Sequence, residues 1–196
     1  MPNDYRCFLA IDLESVLIGK IEEIQKEFKQ TTNNIKYVEK ENLHFTLKFF
    51  GNINKNKINN ITEATNKVLA NIKTDTTNNP KETQLTLKGI GTFPNKNYMK
   101  ILWIGTENNR FLNNLQKELD LEFEKLGFKM EKNFKTHLTI GRIRNLKNKK
   151  EFKSKIEELK NIKIGTMSIS KISFKMSELT PTGPIYSNIK VFNFNS

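Results

Sequence analysis

Hydrophobic positions along the chain follow two periods that alternate, and the alternation occurs twice. Leu17, Ile21, Ile24 and Phe28 are spaced by three and four residues, which predicts an amphipathic helix after the strand-like apolar run 6–12. The same spacing predicts three more helices: Ile58, Ile61, Ala64, Val68 and Ile72; Phe111, Leu115, Leu119, Phe123 and Leu126; and Phe152, Ile156 and Leu159.

A shift of 93 positions, which carries His44 onto His137, superimposes the two halves of this pattern. Residues 6–12 fall on 99–105, and the first helix nearly covers the third. The segments 84–90 and 166–174 alternate as strands and close the two halves. The chain therefore predicts a duplicated β-α-β-α-β unit, at about 6–90 and 99–176.

A last strand at 186–194 follows the predicted turn Leu179–Pro184. We expect one α+β domain over 1–196, bilobal, with two pseudo-twofold-related lobes whose sequence repeats interleave. Helices with a single apolar stripe cover only one face of each antiparallel sheet. The two free sheet faces should then face each other across a central groove.

Composition restricts the environment and the partner. The 196 residues contain one cysteine, Cys7, and the chain has no apolar run of about 18 residues, so we expect a cytoplasmic protein without disulfides or a membrane span. The net charge of +12 favours a polyanion such as RNA. The strongest basic cluster follows the second histidine: Arg142, Arg144, Lys147, Lys149, Lys150, Lys153 and Lys155.

The two histidines of the chain stand in the same four-residue frame, His44-Phe-Thr46-Leu and His137-Leu-Thr139-Ile. Side chains alternate along a strand, so each histidine shares a face with its threonine, while the apolar residues point the other way. An imidazole moves protons near neutral pH and a hydroxyl holds an oxygen. The pair is what metal-free acid and base catalysis on a phosphate requires.

A single His-x-Thr on a strand is more often a half-buried structural histidine than a catalyst. Two copies at equivalent places in a duplicated pattern favour a shared site. Two histidines without a carboxylate or cysteine at ligand spacing make a poor transition-metal site. No Gly-rich phosphate loop is present, so we expect neither metal nor cofactor.

Five stretches carry a resemblance to a known family: RCFLAIDL, ENLHFTLKFFGNI, GTFPNKNYMKILWIG, THLTIGRIR and SELTPTGPIY. Together they resemble the RNA 2',3'-cyclic phosphodiesterases, also called 2'-5' RNA ligases, of the two-histidine phosphoesterase superfamily. The resemblance extends over nearly the whole chain. It implies a bilobal fold, no metal, and hydrolysis of an RNA 2',3'-cyclic phosphate end to a 2'-phosphate, with tRNA fragments among the possible substrates.

The resemblance also implies roles. His44 would be the proton donor and His137 the proton acceptor, with Thr46 and Thr139 holding phosphate oxygens. Arg142 matches a family arginine associated with phosphate binding, although period two places it on the face opposite His137 unless a bulge at Gly141 turns it back.

Lys48 has two interpretations. Period two places it on the face of His44, where it would attract phosphate, and the alternative is an ordinary solvated strand lysine. The pseudo-symmetry leaves the direction of proton transfer open. Two rival functions also stay open, a 2'-5' RNA ligase and a non-catalytic RNA-binding module. We expect a monomer.

Overall fold

A computed structural model describes residues 4–31, 33–72, 83–95, 97–107, 109–181 and 183–194. These residues form a mixed α/β fold of four α-helices, one short 3-10 helix (Lys40–Asn42) and nine strands. The helices are α1 (Ser15–Gln30), α2 (Lys55–Asn71), α3 (Arg110–Lys125) and α4 (Lys149–Leu159). The strands are β1 (Tyr5–Asp12), β2 (Asn34–Tyr37), β3 (His44–Ile53), β4 (Gln84–Pro94), β5 (Met99–Thr106), β6 (His137–Asn145), β7 (Lys163–Ser168), β8 (Lys171–Leu179) and β9 (Pro184–Asn193).

All strand pairs are antiparallel, in the order β7-β4-β5-β6-β3-β1-β8-β9, and β2 pairs with β6. The two histidine strands, β3 and β6, lie side by side at the centre of this order. They pair only at Phe45 and Leu138. The two expected sheets are therefore two halves of one continuous sheet, joined at the strands that carry the histidines.

The four helices form where the apolar spacing predicts them. Three begin at an asparagine whose side chain accepts a hydrogen bond from a backbone N–H of the first turn: Asn54, Asn109 and Asn148. The predicted apolar positions of α1 are all buried against the sheet. Among the helices of the described ranges, none is long and apolar enough to span a bilayer.

The helices are exchanged between the two halves of the sheet. Helix α1, which follows β1, packs on β6 and β7, and α4 packs on β4. Helix α3, which follows β5, packs on β3 and on α2. Each half of the sheet is thus covered by one helix from each sequence repeat, and the opposite face is left for the groove.

The single strand predicted over 166–174 is wrong, because the chain breaks there into β7 and β8. The run alternates and contains neither glycine nor proline, the two strongest turn residues, so the break is not marked in the sequence pattern. Backbone hydrogen bonds to distant segments turn the chain at this point: Ile169 N–H donates to Thr83 O, and Ser170 O accepts from Phe194 N–H. As a result β7 pairs with β4 and β8 pairs with β1, at opposite ends of the sheet.

Two further local features lie near the groove. The four-residue strand β2 was not predicted. It pairs with the part of β6 that extends beyond the single pairing of β6 with β3. The predicted turn at Leu179–Pro184 joins β8 to β9 and is closed by reciprocal backbone hydrogen bonds between Thr180 and Gly183. Thr182 of that turn lies outside the described residues.

Candidate active site

Each histidine strand contains a bulge at the same place. On β3, Leu47 is the extra residue, because Ala10 pairs with Thr46 and Leu9 with Lys48. On β6, Ile140 is the extra residue, because Trp103 pairs with Thr139 and Leu102 with Gly141. A bulge puts two consecutive side chains on one face and so reverses the alternation beyond it.

The reversal brings the fifth residue after each histidine back to the groove. On β6 this residue is Arg142, which lines the same cavity as His44 and Thr139. A bulge beside Gly141 thus resolves the conflict between Arg142 and period two. Gly141 is required there because a Cβ would come within 2.8 Å of the Ile35 side chain on β2.

On β3 the same reversal contradicts the placement of Lys48 on the face of His44. Lys48 borders one edge of the groove but is only 4% exposed, because its ammonium is directed towards helix α3. Its ammonium lies 2.6 Å from Asp120 Oδ1 on α3 and also donates to the Lys129 carbonyl. Phe49 takes the groove position instead and is covered by the Arg6 guanidinium, 4.6 Å from the ring centroid. The Lys48 ammonium is therefore already paired with a buried carboxylate, and its side chain does not share the face of His44.

The groove consists of two adjoining cavities. One, of about 620 Å³, is lined by His44, Thr46, Thr139 and Arg142. The other, of about 430 Å³, is lined by Thr46 and His137. Because β3 and β6 are antiparallel neighbours at Phe45 and Leu138, each histidine lies beside the threonine of the other strand. The four tetrad side chains therefore meet in one place.

Equivalent hydrogen bonds hold the two imidazoles. His44 Nδ1 lies 2.7 Å from the Asn42 carbonyl, and His137 Nδ1 lies 2.7 Å from the Lys135 carbonyl. A carbonyl oxygen only accepts, so Nδ1 carries the proton in both rings. Nε2 of each ring is left as the atom that can gain or lose a proton.

The surroundings of His44 favour its neutral form. Burial lowers the pKa of His44, and the positive charges of Lys175 and Arg142 lower it further. The hydrogen bond to the Asn42 carbonyl and the charge of Asp12 oppose this. Asp12 pairs with His44 across β1 and β3 and lies 2.8 Å from Lys175 Nζ.

Aromatic rings flank both histidines. Phe8 and Tyr186 lie with their ring centroids 4.9 and 5.4 Å from that of His44. Phe93 meets the His137 ring edge-on at 5.0 Å and lies 5.1 Å from the Trp103 ring.

Trp103 lies flat on the sheet next to Thr139, its cross-strand partner. Two glycines make room for the indole. A Cβ on Gly91 would come within 2.3 Å of the ring, and one on Gly105 within 3.1 Å.

Sequence reasoning missed several groove residues. Asp12 is on β1 and Trp103 is on β5, the strands beside β3 and β6, and Lys175 is on β8, one strand further out. Their positions depend on strand pairing that the sequence pattern does not reveal. Of the missed residues, four lie in stretches that carried the family resemblance, which was the available signal: Asp12, Phe93, Trp103 and Tyr186. Among the described residues, no group of three or more histidine, cysteine or acidic side chains is arranged to hold a metal ion.

This mixed α/β fold, with two His-x-Thr-x strands side by side on one groove, agrees with the family resemblance of the sequence. The model of the AKAP7 2'5' RNA ligase-like domain matches residues 6–194. The chain belongs to this family of 2'5' RNA ligase-like proteins.

Relatives and solved structures agree with this assignment. The RNA 2',3'-cyclic phosphodiesterase of Methanothermobacter thermautotrophicus is 40% identical over 187 residues, which is 95% of this chain and 97% of the relative. The protein of the same name from Methanocaldococcus jannaschii is 40% identical over 185 residues, 94% and 98% of the two chains. Thermus thermophilus TT0787 superimposes with a TM-score of 0.78 at 22% identity over 96% of this chain and 97% of its own. E. coli LigT in its apo form superimposes with a TM-score of 0.71 at 19% identity, over 97% of this chain and 98% of its own. Both structures show the same fold.

Proposed function

We propose that this protein hydrolyses RNA 2',3'-cyclic phosphate ends to 2'-phosphomonoesters without a metal ion. The observation that carries the proposal is the meeting of His44, Thr46, His137 and Thr139 in one groove. The relatives named RNA 2',3'-cyclic phosphodiesterase support the substrate class.

The reaction is an in-line displacement at phosphorus. His137 Nε2 takes a proton from water as the water oxygen bonds to phosphorus, and His44 Nε2 gives a proton to the ribose 3' oxygen as the P–O3' bond breaks. The Thr46 and Thr139 hydroxyls donate to the non-bridging oxygens, and the Arg142 guanidinium offsets their charge. Proton exchange with solvent then restores both histidines.

RNA is the proposed partner, and tRNA fragments are candidate substrates. Arg6, Lys36 and Arg142 line the larger cavity and favour a phosphate chain over a neutral ligand. One chain supplies both histidines, so we propose a monomer, and we place the reaction in the cytoplasm on the basis of composition. Of the basic stretch after β6, Lys155 is already paired with Glu27 and Glu158, which leaves less charge for RNA.

Purified protein incubated in EDTA with an RNA ending in a 2',3'-cyclic phosphate tests this function. We expect conversion to a 2'-phosphate at an unchanged rate, because the proposed acid and base are side chains. A rate abolished by EDTA and restored by a divalent ion would contradict the proposal. Joined product instead of monoester would favour the rival 2'-5' RNA ligase. Binding without turnover would favour a non-catalytic RNA-binding module.

The lowered pKa of His44 predicts the pH dependence. One limb of the kcat/KM profile should be set by His44, because the reaction needs this imidazole in one defined protonation state. That limb should lie below about pH 6.5, the ordinary imidazole value, because burial and the charges of Lys175 and Arg142 lower the pKa of His44. Lys175→Met removes a positive charge that lowers this pKa, so it should move that limb to higher pH.

The control is Lys171→Met, an exposed lysine on the same strand. It should leave the profile of kcat/KM unchanged. If Lys175→Met also leaves the profile unchanged, His44 sets neither limb and takes no part in proton transfer.

A further inference from the structure

Two buried polar side chains near the histidines take no part in the proposed chemistry. Gln25 is on α1 and Asp120 is on α3, which are corresponding helices in the two halves of the chain. They are 6% and 2% exposed. Burying an amide or a carboxylate costs free energy unless it is hydrogen-bonded, so the bonds that they make reveal what they hold together.

Gln25 joins two segments that belong to different histidines. Its Nε2 donates to the Val38 carbonyl at 2.9 Å and to the Ile140 carbonyl at 3.0 Å. Val38 lies in the segment that leads into His44. Ile140 is the bulge residue of β6, the strand of His137. The amide thus ties the approach to one histidine to the strand of the other.

Asp120 makes the corresponding link between the strand of His44 and the segment that leads into His137. Its Oδ1 lies 2.6 Å from Lys48 Nζ, next to the bulge of the His44 strand. Its Oδ2 accepts from the Glu131 backbone N–H at 2.6 Å, and Lys48 also donates to the Lys129 carbonyl. Residues 129 and 131 lie in the segment that leads into His137.

The two segments that lead into the histidines also orient the rings. The Asn42 and Lys135 carbonyls, which accept from Nδ1, belong to these segments. Moving either segment relative to the opposite strand would move one imidazole relative to the other. A misplacement of about 1 Å between reacting groups can cost on the order of 10²-fold in rate.

We propose that Gln25 and the Lys48–Asp120 pair are matched positioning residues that set the spacing and orientation of His44 and His137 across the groove. This inference rests on the proposed function for its kinetic consequences. It explains why a lysine and a carboxylate are buried as a pair beside the proposed phosphate site.

The two sets of positioning residues are called anchors here: Gln25 is the first and the Lys48–Asp120 pair is the second. Gln25→Met tests the first anchor, because methionine is close in volume but donates no hydrogen bond. We expect kcat on a nucleoside 2',3'-cyclic phosphate to fall about 10- to 100-fold, with KM within about threefold of wild type, as misplaced catalytic groups require. The matched control is Gln116→Met on α3. Gln116 is also 6% exposed, and its Nε2 has no hydrogen-bond partner among the described residues.

Replacing both members of the second anchor, Lys48→Met with Asp120→Leu, tests it without leaving a lone buried charge. An apolar pair of similar volume keeps the fold, as similar replacements of buried ion pairs do elsewhere. We expect the same selective loss of kcat. This double variant also tests the proposal if Gln25→Met fails to fold. A kcat equal to that of Gln116→Met in both anchor variants would overturn it.

Histidine NMR separates this inference from the proposed function. The chain has two histidines, so the imidazole ¹⁵N spectrum contains one set of signals for each. We expect Gln25→Met to shift the ring signals and Gln116→Met to leave them in place, with and without inorganic phosphate. Unshifted signals in Gln25→Met would contradict the anchors even if the enzyme is active. Shifted signals in a protein without cyclic phosphodiesterase activity would contradict the function alone.

Discussion

His44→Ala and His137→Ala are each expected to reduce kcat/KM for a 2',3'-cyclic phosphate by roughly two to four orders of magnitude. Each change removes a group that moves a proton in the transition state. The surrounding hydrogen bonds and charges remain, so substrate should still bind. Single-turnover rates and phosphate-binding titrations separate the two effects.

The double variant adds a stricter test. Both histidines act in one displacement step, so losing the second should cost far less than the product of the single losses. Tyr98→Ala is a suitable control, since Tyr98 is exposed and does not line either groove cavity. A histidine whose replacement leaves the rate near that of Tyr98→Ala has no role in the mechanism.

Asp120→Ala is expected to destabilise the fold by about 3 to 5 kcal/mol, because it leaves the buried Lys48 ammonium without its counter-ion. In a chain of this size the melting temperature should fall by on the order of 10 °C. Thermal and urea unfolding measure both quantities.

The contrast with a surface pair identifies the cause. Glu107 lies 3.2 Å from Lys88, and both side chains are nearly half exposed, so Glu107→Ala should leave the melting temperature almost unchanged. Combining Lys48→Met with Asp120→Leu should recover most of the stability lost in Asp120→Ala. If Asp120→Ala has the same melting temperature as Glu107→Ala, the buried pair does not stabilise the fold.

Local periodicity predicted the helices and the shared face of each histidine and threonine. Both depend on side chains a few residues apart, for which the geometry of an unbroken helix or strand suffices. The placement of Lys48 on the face of His44 was wrong, and the conflict at Arg142 arose, for a single reason. A bulge adds one residue to a strand, so the two-residue alternation assigns every side chain beyond it to the wrong face of the sheet.

The other features that the sequence did not reveal depend on contacts distant in the chain. The break between β7 and β8 is made by Thr83 and Phe194. The role of Gln25 depends on a carbonyl 115 positions away. A glutamine on a helix is ordinarily a solvent-exposed residue, so its burial could not be inferred from its neighbours in sequence.

The aromatic wall beside His137 has a practical consequence. Trp103 is the single tryptophan of the chain, so fluorescence excited selectively over the four tyrosines comes from one position, next to Thr139 on β5 and in a cavity that His137 also lines. The protein thus contains its own optical probe beside one of the two proposed catalytic histidines. We expect substrate at His137 to change this emission, so that occupancy is followed in real time, without a label and in variants that have lost turnover.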